Sequence, residues 1–255
     1  MMRALYTAAS GMMAEQLNID NISHNLANLN STSYKKSRVD FEDLLYANMQ
    51  GPGTEATAGT QIGLGVRAAS TQKIFTTGSI QQTGNNFDVA ISGDGMFEVN
   101  LPGGKKAYTR DGAFKLDGQG NLCVSGGYSL GVKIPNNVTD VRIGPDGKVM
   151  GTPINGTKPV ELGQIKLTRF LNPAGLKSIG GNLYEWTPVA GDKTTDKAGA
   201  NGLGVLAAGF LEKSNVNVVE EMIAIIQAQR SYEINSKSVQ AADEMMRQAN
   251  QIQKA

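Results

Sequence analysis

The residues that could take part in catalysis or metal binding are few, and their spacing favours neither role. His24 is the only histidine, and Asp20, one turn earlier, is the single carboxylate at ligand spacing on its helix face, which is too few ligands for a metal site. Cys123 is the only cysteine, which rules out a disulfide within the chain and indicates a small core residue rather than a reactive thiol. Neither residue therefore predicts a metal site or an acid–base site.

Several aspartates could suggest calcium binding or glycosidic cleavage, because both use paired carboxylates. Each of them, however, directly precedes a glycine, and Asp-Gly or Asn-Gly pairs supply the positive φ angles of tight hairpins. The pairs are Asp94-Gly95, Asp111-Gly112, Asp117-Gly118, Asp146-Gly147 and Asn155-Gly156. Gly93-Asp94-Gly95 is no phosphate loop, because neither Lys-Ser nor Lys-Thr follows it. The sequence thus predicts no enzyme, no catalytic, cofactor-binding or metal-binding residue, and no cofactor.

The charge balance excludes a typical nucleic-acid binder and the hydropathy excludes a membrane-spanning segment. The chain has 24 Lys and Arg against 23 Asp and Glu, a net charge of +1. It therefore lacks the excess of basic residues that is typical of nucleic-acid-binding proteins. A short basic run at Lys35, Lys36 and Arg38 has no interleaved aromatics, and we interpret it as solvated surface. The longest uncharged apolar stretch, 203–211, is too short to cross a bilayer, and no signal-peptide core is expected.

The positions of the helix breakers divide the chain into helical ends and a β-rich middle. Thirty of the 31 glycines lie within 51–209, and all eight prolines lie within 52–188. From Phe87 onwards apolar and polar residues alternate as they do in half-buried strands. The pattern predicts a β-rich barrel or sandwich from about residue 73 to 210, with an exposed loop at 187–204.

Both ends carry apolar residues at seven-residue spacing, which is typical of long amphipathic helices that pack as coiled coils. One helix is predicted from about Met2 to Leu29, and another over 216–254, where Asn217 and Glu220 form a capping box. The predicted contact positions are Leu5, Met12, Ile19 and Leu26, then Val218, Met222, Ile225, Tyr232, Val239 and Met246, together with Asn25 and Asn28. The two matching stripes predict that the terminal helices pack on each other.

Two features of the N-terminal helix leave alternatives open. Gly11 is either a residue that lowers the stability of the helix and is tolerated, or a point where another helix approaches closely. Four asparagines form a polar stripe that is either solvated or hydrogen-bonded to neighbouring helices, as isolated polar residues in coiled coils are. They are Asn18, Asn21, Asn25 and Asn28.

The predicted fold class is α+β, with long N- and C-terminal helices forming a coiled-coil layer around a central all-β domain. We divide the chain into an N-terminal helix at 1–32 that pairs with a C-terminal helix at 212–255, a linker or extended connecting region at 33–72, and a β-rich outer domain at 73–211. In the connecting region, Phe41, Leu44 and Leu45 predict a short turn of helix, and the Gly- and Thr-rich stretch 50–60 predicts a loop.

Four blocks of the sequence carry a family resemblance. They are Asn25-Leu26-Ala27-Asn28 with 31–36, then 84–97, then 108–114, and finally 214–222 with 229–237. They resemble the bacterial flagellar rod and hook proteins. These blocks are spread over essentially the whole chain, and 41–46, 61–67 and 181–184 are similar to the distal-rod branch of the family. The chain departs from the family at Ser33, where a glycine is usual, and in a shorter linker between Tyr46 and Gln61.

The resemblance implies a structural subunit of the flagellar distal rod. Such subunits assemble head to tail into a straight helical tube that transmits torque from motor to hook, with the terminal helices inside and disordered until neighbours cover them. The implied partners are further copies, proximal rod proteins, the hook protein, the surrounding P and L ring proteins, the rod cap during assembly and the flagellar export apparatus. The implied location is the basal-body rod crossing the periplasm, reached by type III export without a cleaved signal peptide.

Other functions stay open from the sequence. A proximal rod or hook subunit of the same family is one alternative. A secreted β-domain enzyme or carbohydrate-binding protein with helical ends is another, although the chain has one Trp and only 6% aromatic residues. A monomeric coiled-coil adaptor is the third. Loss of filaments on removal of the terminal 30 residues would favour the rod over the last two.

Overall fold

The structure is a computed structural model that describes residues 2–49, 60–154 and 158–252. The predicted turn at Asn155-Gly156 and nearly all of the predicted loop at 50–60 lie outside the described residues. A helix near each end and a mostly β region between them confirm the α+β prediction at that level.

Helix α1 spans Met2–Ala27 and helix α2 spans Val218–Ile252. The strands between them are β1 (Ser37–Asp43), β2 (Tyr46–Met49), β3 (Thr60–Gly63), β4 (Val66–Lys73), β5 (Ile80–Gln82), β6 (Val89–Ser92), β7 (Met96–Asn100), β8 (Lys106–Thr109), β9 (Lys115–Leu116), β10 (Asn121–Cys123), β11 (Ser129–Lys133), β12 (Val138–Ile143), β13 (Lys148–Pro153), β14 (Val160–Gln164), β15 (Lys166–Phe170), β16 (Lys177–Gly180), β17 (Leu183–Glu185), β18 (Lys193–Lys197), β19 (Val205–Ala208) and β20 (Phe210–Glu212). Two short 3-10 turns, Pro173–Gly175 and Pro188–Ala190, each begin with proline, whose fixed φ suits a first helical position.

The chain divides into two compact units, and the first joins both helices to strands β1–β4. The helices run antiparallel, because Asn25 meets Glu221 while Gly11, nearer the start of α1, faces Asn235, further along α2. Strand β1 pairs antiparallel with β4 and β2 pairs with β3, and helix α1 packs against β1 and β4. Helix α2 and strands β1 and β4 together contact α1 along much of its length.

The second unit comprises 28–36 and 74–216 and is built mainly of antiparallel strands. Its largest sheet has nine strands in the order β16-β17-β8-β7-β11-β10-β9, with β15 and β18 attached beside β7. Strands β12–β14 form a three-stranded sheet, β19 pairs with β6, and β20 pairs with β5. An apolar core that includes the buried residues Val89, Phe97, Phe114, Val149 and Leu167 holds these sheets together.

Two local predictions are wrong. Phe41 lies in β1, and Leu44 and Leu45 connect β1 to β2 without forming a helix. The predicted loop at 187–204 contains a 3-10 turn and strand β18, which pairs with the whole of β15. In both places the backbone is set by hydrogen-bonding partners distant in sequence, which local propensity does not register.

The predicted Asp-Gly turns differ in physical cause, and the positive φ predicted at Gly118 is wrong, because that glycine has none and a Cβ atom there would meet open space. Gly95 and Gly147 have φ angles of 131° and 86°, as the tight-turn prediction requires. Gly112 has no positive φ, and a Cβ atom there would instead overlap the carbonyl oxygen of Val89. Glycine at position 112 therefore permits close backbone approach rather than a left-handed turn.

Candidate assembly interface

Small and polar residues form the contact line between α1 and α2. On α2 the line follows Glu221, Ala228, Asn235 and Ala242, which recur every seventh residue and of which all but Asn235 are buried. On α1 it includes Asn25, which donates to Glu221, and Gly11, where a Cβ atom would lie 2.8 Å from Asn235 Nδ2. The close-approach interpretation of Gly11 is therefore confirmed.

The apolar positions predicted from periodicity lie beside this line rather than on it. Leu5, Met12, Ile19, Leu26, Val218, Ile225, Val239 and Met246 are half-buried, Asn25 is buried and Asn28 is half-buried, whereas Met222 and Tyr232 are exposed. Helices that approach closely need small residues at the point of contact, because long side chains there would increase the distance between the axes. The part that these predicted positions play between subunits stays a prediction.

Large apolar side chains lie on the faces of both helices that point away from the contact line. On α2, Val219, Met222, Ile223 and Ile226 follow i, i+3, i+4, i+7 spacing, and each is at least 50% exposed. On α1, Tyr6, Met13 and Leu17 are exposed in the same way. At about 100° per residue, these two sets lie on the opposite sides of their helices from Ala228 and Ala8. We call them the α2 outer stripe and the α1 outer stripe.

The polar stripe of α1 binds strand β1 instead of facing solvent. Asn25 Nδ2 donates to the Ser37 carbonyl oxygen at 2.9 Å, and the Ser37 N–H donates back to Asn25 Oδ1 at 2.9 Å. Asn21 Nδ2 donates to the same carbonyl at 2.8 Å, and the Ser37 hydroxyl donates to Asn21 Oδ1 at 2.8 Å. Asn25 also donates to Glu221 Oε2 on α2 at 3.3 Å. The solvated-face interpretation is wrong for Asn21 and Asn25, which fix the register of α1, α2 and β1.

The start of α2 is capped as the sequence predicts. The Val219 N–H donates to Asn217 Oδ1 at 3.1 Å, and Asn217 Nδ2 donates to Glu220 Oε1 at 3.2 Å. The first turn also carries Glu220 and Glu221, whose charges favour the positive end of the helix dipole. Local sequence signals are enough to position this helix end.

In the second unit, Lys35 is fully buried, so its interpretation as solvated surface is wrong. Its Nζ atom lies 2.6 Å from Glu212 Oε1 and donates to the Thr76 carbonyl oxygen at 2.7 Å. The other carboxylate oxygen accepts from Arg110 Nε at 2.9 Å, and the Gly78 N–H donates to Oε1 at 2.8 Å. Burial lowers the pKa of Lys35, and the Glu212 carboxylate opposes that shift. No local pattern predicts this cluster, because its three charged members are brought together only by folding.

Ser33 adopts a left-handed backbone conformation with φ of 54°, where a glycine is usual in the resembling family. Its N–H donates to the Glu212 carbonyl oxygen at 2.8 Å, and its hydroxyl donates to the Arg110 carbonyl oxygen at 2.8 Å. The left-handed conformation costs a non-glycine residue about 1–2 kcal/mol. The hydroxyl bond, which glycine lacks, offsets part of that cost.

Neither a candidate metal centre nor a membrane-spanning helix is found among the described residues. Among them, no group of three or more His, Cys, Asp and Glu side chains is arranged to hold a metal ion. None of the helices in these ranges combines the length and the hydropathy needed to cross a bilayer. His24 lies on an exposed part of α1, and Cys123 is buried.

Family profiles match three separate parts of the chain. Residues 5–35 match the profile "Flagella basal body rod protein". Residues 90–151 match "Flagellar hook protein FlgE/F/G D1 domain", and residues 207–252 match "Flagellar basal body rod FlgEFG protein C-terminal". The matches cover most of both helices and part of the β-rich unit.

Similar proteins extend this likeness over the whole chain. The flagellar basal-body rod protein FlgG of Borreliella burgdorferi is 45% identical over 267 residues, which cover 100% of both chains. The protein of the same name from Bacillus subtilis is 39% identical and covers 97% of this chain and 98% of its own length. A solved structure, the flagellar hook protein FlgE2 of Helicobacter pylori, matches 62% of this chain and 47% of that one with 17% identity and a TM-score of 0.26, too low to bear on the fold. On its sequence, the chain belongs to the FlgG family of flagellar basal-body rod proteins.

Proposed function

We propose that this chain is a structural subunit of the flagellar distal rod, which assembles head to tail into a straight helical tube and transmits torque from motor to hook. Family membership supports a structural role in the rod. The observation that carries the proposal is the pair of outer stripes, which leave large apolar side chains exposed on both terminal helices. Exposed apolar patches on regular helices mark surfaces that other proteins cover.

Neighbouring copies are the partners that fit these stripes. The α1–α2 contact line already uses the small residues, so the outer stripes remain for contacts between subunits. Burying a large apolar side chain stabilises a contact by about 1.5–3 kcal/mol, and a head-to-tail contact repeats at every subunit of the polymer. In the assembled rod, the terminal helices form the inner coiled-coil layer and the β-rich unit the outer surface. Among the predicted contact residues, Met222 belongs to the α2 outer stripe, and the others, from Leu5 to Met246, contribute to the same layer.

Stiffness of the first unit is the property that torque transmission needs. Asn21 and Asn25 connect α1 to β1, and Asn25 connects α1 to α2, so the two helices and strand β1 move together. A buried network with all of its groups hydrogen-bonded resists sliding of one element past another. In the proposed rod, further partners are the proximal rod, the hook, the P and L rings, the rod cap and the export apparatus.

Replacement of Ile226 tests the proposal. Ile226 is 50% exposed in the α2 outer stripe, and Ile226→Glu places a charge there while Arg230, one turn later, can pair with it on the same helix. We expect Ile226→Glu to abolish sedimenting filaments with little change in the melting of the monomer, while the matched control Ile226→Leu keeps them. Electron microscopy of the pellets checks that they are tubes. Normal tubes from Ile226→Glu, or a parent chain that never polymerises, would contradict the proposal.

A further inference from the structure

A small pocket in the β-rich unit combines apolar walls with positive charge. Its volume is about 140 Å³, and its lining includes Phe75, Met96, Phe170 and Leu171 together with Arg110 and Arg169. An engineered protein cavity of about 150 Å³ holds a benzene molecule. The pocket is therefore large enough for one aliphatic side chain.

The charges around the pocket favour an acidic neighbour for that side chain. Arg110 is only 4% exposed and shares the Glu212 carboxylate with Lys35, so two cations and one anion leave this buried cluster with a net positive charge. At the more exposed side, Arg169 and Asp94 lie 3.7 Å apart and balance each other. Two of the three charged side chains that line the pocket are arginines, and a carboxylate brought close to Arg169 gains energy.

An apolar ledge beside the pocket is left uncovered. Leu171, which belongs to the pocket lining, is 85% exposed, and Val189 is 72% exposed. The two are held together, because Asn172 Nδ2 donates to the Val189 carbonyl oxygen at 3.3 Å. A pocket with an exposed apolar ledge is the arrangement that anchors a side chain of a partner protein.

A matching side chain occurs in the first unit, between strands β1 and β2. Leu45 is 81% exposed and lies two residues after Asp43, which follows Glu42. The backbone around it is fixed, because the Leu44 N–H donates to the Gly65 carbonyl oxygen at 2.8 Å and the Leu64 N–H donates to the Leu45 carbonyl oxygen at 3.2 Å. A side chain presented on ordered backbone loses little entropy on docking.

We propose that Leu45 of one subunit inserts into this pocket of a second copy, with Asp43 approaching Arg169. The inference rests on the proposed function, since it describes one contact within the polymer. A second copy is the occupant because the leucine and the acid that the pocket requires lie together on this same chain. Because Leu45 and the pocket lie at different places on the chain, their contact is heterologous and propagates from copy to copy.

Cross-linking between two variants that each carry one introduced cysteine tests the contact. Copies carrying Leu45→Cys are mixed with copies carrying Leu171→Cys, polymerised, oxidised and analysed on a denaturing gel, with a size tag on one partner. We expect a heterodimer from this mixture and none when Leu116→Cys, at a 42% exposed leucine elsewhere in the unit, replaces Leu171→Cys. The parent chain, whose Cys123 is buried, gives the background.

A second measurement follows the energy of the contact. Leu45→Ser should raise the protein concentration at which polymer first sediments by roughly 10-fold to 100-fold, whereas Leu116→Ser should change it by less than about 2-fold. Arg169→Glu should weaken assembly, and Asp43→Arg in the same chain should restore it. Polymer that forms normally without the heterodimer, or with Leu45→Ser unaffected, overturns this contact and leaves the rod proposal standing. A parent chain that forms no polymer overturns both.

Discussion

The buried cluster of Lys35, Arg110 and Glu212 provides a sharp test, because neutralising its anion should destabilise the protein more than neutralising one of its cations. Glu212→Gln removes the only anion and leaves two buried cations facing an amide. Lys35→Met removes one of the two cations, and Glu212 keeps its bonds from Arg110 Nε at 2.9 Å and the Gly78 N–H at 2.8 Å. The cluster's net charge goes from +1 to +2 in the first variant and from +1 to 0 in the second.

The magnitudes follow from this difference. Removing one partner of a buried ion pair so that its charge is left uncompensated costs about 3–5 kcal/mol, which is the value expected for Glu212→Gln. Lys35→Met loses a hydrogen bond to the Thr76 carbonyl oxygen but also removes a cation that burial disfavours, as its lowered pKa indicates. We expect a loss of about 1–2 kcal/mol for that variant. The double variant should lose less than the sum of the two.

Urea unfolding monitored by the fluorescence of Trp186 measures these losses in the second unit, because Trp186 is the only tryptophan. Asp140→Asn is the matched control. It neutralises a carboxylate in the exposed pair with Arg142, whose side chains are 49% and 78% accessible, and should change the free energy of unfolding by less than about 1 kcal/mol. If Lys35→Met is as damaging as Glu212→Gln, the reasoning about an excess of buried positive charge is wrong.

Two further predictions concern one residue in each unit. Asn25→Ala should lower the stability of the first unit by about 1–3 kcal/mol and speed hydrogen exchange at the Ser37 amide. The control Asn18→Ala, at a half-buried position, should do neither. Unchanged exchange at Ser37 would contradict the role of Asn25 in holding α1 against β1. Burial raises the pKa of the Asp111 carboxyl above its ordinary value of 3.8. The folded state therefore keeps a proton that the unfolded state loses, and this group makes stability fall as pH rises from 3.8 through the raised pKa. Asp111→Asn should remove that fall, so the urea midpoints of variant and parent should diverge over this pH range. If the two midpoints instead change with pH in parallel, Asp111 is not the group that causes the fall.

The sequence predicted those features of the fold that depend on local patterns. The absence of Gly and Pro from most of both ends, with apolar residues every seventh position, predicted the two helices to within a few residues. Asn217 and Glu220 predicted the start of α2, because capping depends on side chains only a few positions apart. The flagellar rod family was also evident from sequence blocks alone.

Features that depend on residues distant in sequence required the tertiary structure. Ala228 and Ala242, not the larger apolar residues beside them, lie on the helix contact line, since the closeness of two helices is not encoded in the period of either one. Lys35 was predicted to lie on solvated surface as part of a basic run, yet it is fully buried and paired with Glu212, which is distant in sequence. Hydrophobic periodicity reports which face of an element is apolar, whereas the partner that covers that face, or leaves it open, is decided only when remote segments pack together.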